Sequence, residues 1–261
     1  MKYSLRIVLV FILILGFTGI SFSQRWKLLR YEVMGGVGSA NVFGDIGGAA
    51  TQSNLFGLKD LRIQYTRPSF SVGIRYKLQE NMALKLNLIY GFAAESDKSS
   101  VNDTRRLSYT TRLFEQSLQY EYYFLKEDRR KHSAASYSRR GMINNYSRVA
   151  MYGFAGLGGL AYTPKLHVEG FAPPPQNILG PGYTLVFPVG IGAKYIYSDR
   201  FAFNAELGGR MSLSDGLDGY TSISSKANDI YYFLSISIAY RLKTGRNGLP
   251  KFMENWFGNR R

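Results

Sequence analysis

The 261-residue sequence contains no cysteine. Disulfides, thiolate nucleophiles, zinc–thiolate centres and an N-terminal lipidated cysteine are therefore excluded. Histidine is almost as scarce: there are two, His132 and His167. Acidic residues are in deficit, with 18 Asp and Glu against 33 Lys and Arg, a formal charge of +15. One long apolar run exists, residues 7–20, directly behind Lys2 and Arg6. No later stretch is long and apolar enough to cross a membrane as a helix.

That single run reads as part of a secretory signal. A basic start, an apolar stretch too short for a comfortable span, and small residues at Ser21 and Ser23 before Gln24 predict cleavage after Ser23. Residues 1–23 are expected to be a signal peptide, and the mature protein to be exported.

What the chain has in abundance is glycine (28), tyrosine (20) and phenylalanine (17), together with period-two alternation. In residues 201–211, Phe201, Phe203, Ala205, Leu207 and Met211 share one face, and Asn204, Glu206, Gly208 and Arg210 share the other. Period two predicts a strand with two unlike faces. The same pattern recurs at about 29–39, 64–78, 82–94, 109–124, 149–162, 183–197 and 230–242. Residues 77–81 and 198–200 read as tight turns, while the other connections are longer.

Eight alternating strands predict an all-β, antiparallel, up-and-down transmembrane barrel over residues 24–242. Leu, Ile, Val and Phe fill mid-strand positions on one face and Tyr gathers at strand ends, as aromatic girdles do. Outer-membrane barrels place short turns in the periplasm, so both termini and the connection at 125–147 are assigned there too. The opposite face carries Arg30, Glu32, Arg75, Lys85, Glu115, Glu121, Lys194, Glu206 and Arg210. An eight-stranded lumen is just wide enough for side chains to fill, and buried charges must be paired. A polar interior plugged by a charge network is expected, with no open pore. For Glu206, a cross-strand partner such as Lys194 is expected.

Charge is also sided. The segments assigned to the periplasm (24–28, 77–81, 125–147, 198–200 and 243–261) hold 15 bases and 5 acids. The four long loops hold 7 bases and 9 acids. The basic side reads either as a rim contacting anionic lipid or as a docking surface for an acidic periplasmic protein or lipoprotein. The residues singled out for docking are Lys126, Arg129, Arg130, Lys131, Arg139 and Arg140 in the 125–147 connection, and Lys243 and Arg246 in the basic tail, 243–261.

Several segments resemble the PorG-like small outer-membrane barrels of Bacteroidota, which belong to the type IX secretion and gliding machinery. They are residues 41–47 (NVFGDIG), 118–124 (LQYEYYF), 152–158 (YGFAGLG) running on to 162–165 (YTPK), 187–192 (FPVGIG), 206–210 (ELGGR) and 214–218 (SDGLD). The last departs from the family pattern, with Gly216 where an aromatic is usual and Gly219 where an Asp is usual. The resemblance implies a non-enzymatic barrel that anchors periplasmic components of an envelope machine, type IX protein secretion above all. The alternative is a passive structural or adhesive barrel with no dedicated partner.

A lipid A-modifying enzyme is the main rival class. It would need His with Ser and an acid, and here only His167, near Glu169 in a loop, offers a start; His132 reads as a solvated residue. Asp215, Asp218 and Asp229 suit turn capping better than Ca²⁺. Gly156, Gly158 and Gly159 precede no helix and make no phosphate loop. No catalytic residue, metal site, cofactor or nucleic-acid partner is expected. The partners expected are outer-membrane lipid and the acidic docking protein.

Overall fold

A computed structural model describes residues 29–44, 46, 65–98, 106–127, 148–168, 178–221, 229–245, 249–251 and 253. The signal-peptide reading lies outside them. Eight strands form one closed barrel: β1 (Tyr31–Phe43), β2 (Arg67–Lys77), β3 (Met82–Ser96), β4 (Leu107–Leu125), β5 (Val149–Val168), β6 (Gly182–Ile196), β7 (Phe201–Ser212) and β8 (Ile230–Leu242). Each strand pairs antiparallel with its sequence neighbour, and β1 closes on β8 along its whole length, from Tyr31↔Leu242 to Phe43↔Ile230. Closure leaves no edge, so ladder amides and carbonyls are satisfied between strands, as a hydrocarbon surround demands.

The alternation sorts the faces as expected. Val72, Ile74, Leu86, Leu118, Leu157, Val189, Ile191, Leu207, Leu234 and Ile236 all point outward and are exposed. Arg75, Lys85, Glu115, Glu121, Lys194 and Arg241 point inward and are buried. Grease outside and charge inside is the inverse of a water-soluble protein, and it is stable only in lipid. This barrel spans a membrane.

β1 and β5 run furthest beyond their patterns. β1 continues through Asn41, Val42 and Phe43, which had read as loop, because β8 offers Tyr232, Tyr231 and Ile230 as partners. β5 continues to Val168, with residues 163–168 paired to β4 alone, since the ladder to β6 ends at Tyr162↔Gly182. Pro164 thus falls where β5 has one free side, the position a proline tolerates. Pro188 sits deeper, inside β6, and there the β5–β6 ladder breaks between Ala155↔Val189 and Gly158↔Val186. Proline has no N–H to give to a ladder.

The outer surface is also packed locally. Gln116 lies near the middle of β4 and faces lipid, donating from Nε2 to the Tyr183 hydroxyl at 3.2 Å. Gly159, between them on β5, leaves the space that the Tyr183 ring fills; a Cβ there would collide with the ring and its hydroxyl. The polar amide is thereby given a partner in hydrocarbon.

The lumen has two zones, which corrects the expectation of a uniformly polar interior. The half nearer the tight turns is charged. The half nearer the long loops is mainly apolar, a cluster of Ile89, Leu107, Leu113, Leu160, Val186 and Phe233 capped by Leu217 and Ile46. Inward-facing Ile89, Leu113 and Val186 interrupt the alternation in the sequence because they form this second plug. Asp218 and Asp229 fix the cap: Asp218 accepts the Ile46 and Tyr220 amides at 3.2 and 3.0 Å, and Asp229 accepts the Leu217 amide at 2.8 Å. Gly219 has φ +79°, and a Cβ there would stand 3.0 Å from Pro164. An Asp at this position would be strained.

Candidate functional site: the charged mouth of the barrel

The site is built from inward positions near the turn-side ends of the strands. β2 supplies Arg75 and Lys77, β3 Lys85, β4 Glu121, β6 Lys194, β7 Glu206, β8 Arg241, and β1 Glu32. Arg75 is the hub. Its Nη1 donates to Glu32 Oε2 at 3.0 Å, and its Nη2 to Glu121 Oε1 and the Tyr152 hydroxyl, both at 3.0 Å. Its guanidinium carbon stands 5.1 Å from the centre of the Tyr152 ring. The Tyr152 hydroxyl in turn donates to Glu206 Oε1 at 2.6 Å. Lys85 donates to both oxygens of Glu206, at 2.7 and 2.6 Å.

The outermost layer closes the mouth. Lys194 donates to Glu32 Oε1 at 2.5 Å, and Arg241 Nε reaches the same oxygen at 3.2 Å. Below them Glu127, two residues past the end of β4, turns its carboxylate back into the barrel. It accepts from Arg241 Nη2 at 2.7 Å, accepts from Lys77, and lies 3.8 Å from Lys194. Burial alone would raise the pKa of Glu127, but Lys77, Lys194 and Arg241 outweigh it and bring the value down to about 2, against opposition from Glu32. Four carboxylates (Glu32, Glu121, Glu127, Glu206) thus meet five cations (Arg75, Lys77, Lys85, Lys194, Arg241). Mutual neutralisation and hydrogen bonding are what make buried charge tolerable.

A smaller pair sits higher. Arg210 lies 3.4 Å from Glu115 and stacks its guanidinium over Phe233 at 4.7 Å. Tyr231 donates to Glu115 at 2.8 Å.

Of the sequence-predicted interior residues, Glu32, Arg75, Lys85, Glu121, Lys194 and Glu206 come together at the mouth, and Glu115 and Arg210 meet above it. Arg30 does not join them. It precedes β1, is half-buried, and donates to the Tyr76 hydroxyl at 3.0 Å. The expected Glu206–Lys194 contact is also corrected: the register sets Lys194 opposite Asn204, and Glu206 opposite Gly192. In so narrow a lumen, long side chains reach across to distant strands.

Lys77, Glu127 and Arg241 were not anticipated. Arg241 shares its face of β8 with inward Tyr231 and Phe233, so its alternation pointed inward. Lys77 reads as turn and Glu127 as the start of a basic connection, and neither carries a local signal. Among the docking residues, Lys126 and Lys243 are exposed at this same end of the barrel. Arg129, Arg130, Lys131, Arg139, Arg140 and Arg246 lie outside the described residues, as does His132. His167 belongs to β5 rather than a loop, opposite Ser108 of β4, and no hydrogen bond joins the two among the described residues.

A closed eight-stranded barrel with a lipid-facing belt, and with its two tight turns at the end that carries both termini, has the outer-membrane architecture. The chain is an outer-membrane β-barrel. No family model matches its sequence, and no curated protein does. Solved structures are similar in fold. Neisserial surface protein A has a TM-score of 0.44 at 12% identity, over 81% of this chain and 96% of that one. OprG from Pseudomonas aeruginosa has 0.45 at 12% identity, over 84% and 98%. The outer membrane enzyme PagL has 0.32 at 11% identity, over 80% and 97%. These overlaps are loose, and the membrane assignment rests on the barrel's own two faces.

Proposed function

We propose that this barrel is a non-enzymatic anchor for periplasmic components of an envelope machine. The carrying observation is that the lumen holds a charge network at one end and an apolar cluster at the other, while the basic β4–β5 connection is rooted in it through Glu127. A lumen so occupied leaves the rim and the segments below it as the working surface. Exposed Lys126 and Lys243 belong to that surface, and the sequence between β4 and β5 adds Arg129, Arg130, Lys131, Arg139 and Arg140. A basic surface of this kind suits an acidic periplasmic protein or lipoprotein, through steering and charge complementarity. The PorG-like resemblance makes type IX protein secretion, with its link to gliding in Bacteroidota, the machine we assign.

The test is affinity capture of the tagged barrel from a detergent extract. Neutralising Arg129, Arg130, Arg139 and Arg140 together is expected to remove co-purifying periplasmic proteins. An unchanged partner list, or none with the native chain, leaves only a passive barrel.

A further inference from the structure

Glu127 lies just outside the barrel wall, yet its side chain, 12% exposed, is gripped from three strands: by Lys77 of β2, Lys194 of β6 and Arg241 of β8. The next residue back behaves in the opposite way. Lys126 is exposed and stands 4.0 Å from Glu80 of the β2–β3 turn, a loose surface pair. Of the two described residues beyond β4, Glu127 is thus the one held firmly, by a carboxylate amid cations. Without it the mouth would hold Glu32, Glu121 and Glu206 against five cations. Two positive charges would then be uncompensated in a buried setting. One guanidinium nitrogen, Arg241 Nη1, already has no hydrogen-bond partner among the described residues.

We infer that Glu127 is a positioning residue: it pins the start of the β4–β5 connection beneath the mouth, and through that pin it supports docking of an acidic partner on the basic sequence that follows. The geometry of the pin stands alone; its role in docking rests on the anchor reading above. Negative charge is the essential property, because one carboxylate must answer three cations. A neutral glutamine keeps the size and one acceptor oxygen but cannot hold three cationic donors.

The absence of cysteine makes the test direct. Lys126→Cys gives a single attachment point for a nitroxide label on the full chain in micelles. With Glu127 present, the label's EPR spectrum is expected to show restricted motion. Adding Glu127→Gln is expected to shorten its correlation time several-fold, while heat-modifiable migration on gels shows the barrel still folded. Glu127→Gln with Lys77→Met is expected to be no more mobile than Glu127→Gln alone, since the Lys77–Glu127 pair that Lys77→Met removes is already lost in Glu127→Gln. A spectrum unmoved by Glu127→Gln overturns the pin. Capture of periplasmic proteins by the unlabelled Glu127→Gln chain, with its arginines intact, is expected to fall several-fold. A loosened spectrum with undiminished capture overturns the docking role. If the anchor reading itself fails, neutralising the arginines changes nothing in the capture, yet the EPR result still decides the pin.

Discussion

Lys85 of β3 and Glu206 of β7 meet across the full width of the lumen, the ammonium bonded to both carboxylate oxygens at 2.7 and 2.6 Å. The two strands are not neighbours in the barrel. Contacts of this kind tie opposite walls together and fill the interior at the same time.

The pair is not symmetric in what each partner retains. Without Lys85, Glu206 keeps the Tyr152 hydroxyl at 2.6 Å and Arg75 at 3.4 Å. Without Glu206, Lys85 is left with Glu121 at 3.6 Å and the face of the Phe154 ring at 5.2 Å. Glu206→Gln is therefore expected to destabilise the barrel more than Lys85→Met, by about 3 to 5 kcal/mol against roughly 1 to 3. The double change is expected to cost less than the sum. Urea unfolding in lipid vesicles measures all three, and equal costs for the two single changes would refute the asymmetry.

Glu127 makes the mouth sensitive to acid in a defined window. Its pKa in the folded state, about 2, lies below the ordinary 4.5. A depressed carboxylate pKa adds stability above 4.5 that disappears as pH falls toward 2. The full contribution is on the order of 3 kcal/mol. A nitroxide at position 126 is expected to stay restricted from pH 7 to 5 and to loosen on approach to pH 2. In Glu127→Gln the same titration is expected to show no transition in that window. A native chain that loosens already near pH 6 contradicts the grip by Lys77, Lys194 and Arg241.

Much of this is legible in the sequence. β8 was delimited at Ile230 and Leu242 because its alternation is unbroken between a polar loop and a basic tail. Inward placement of Glu32, Arg75 and Glu206 followed from period two alone. Their pairings did not follow. Whether Lys85 reaches Glu206 depends on barrel radius and stagger, which no single strand encodes. The end of β5 was lost because Thr163, Pro164 and Lys165 look like a loop and are held in place by β4. The apolar plug was overlooked because Ile89 and Val186 resemble lapses in a pattern. Glu127 gave no signal, since one acid in a basic connection looks solvated.

On the lipid face, Gly159 and Tyr183 are fitted to each other. Gly159→Ala is expected to cost about 1 to 3 kcal/mol by forcing the ring aside. On a Tyr183→Ala background, where the space is open, the same change is expected to be close to neutral. Unfolding in vesicles measures the coupling, and additive costs would show that the ring does not occupy the glycine's space.

His167 and Ser108 stand opposite one another on β5 and β4, which makes the enzyme alternative concrete enough to exclude. Cells carrying His167→Ala are expected to give the same lipid A mass spectrum as cells with the native chain. Retention of an acyl chain in the variant alone would establish a hydrolase and overturn the non-enzymatic reading.

The charge network occupies one end of the lumen and the apolar plug the other, and on that basis we propose a sealed barrel that works by what binds at its rim. Recording from the purified chain in a planar bilayer tests this most directly. Quiet membranes without steady conductance steps are predicted. Reproducible, long-lived single-channel steps would contradict the account.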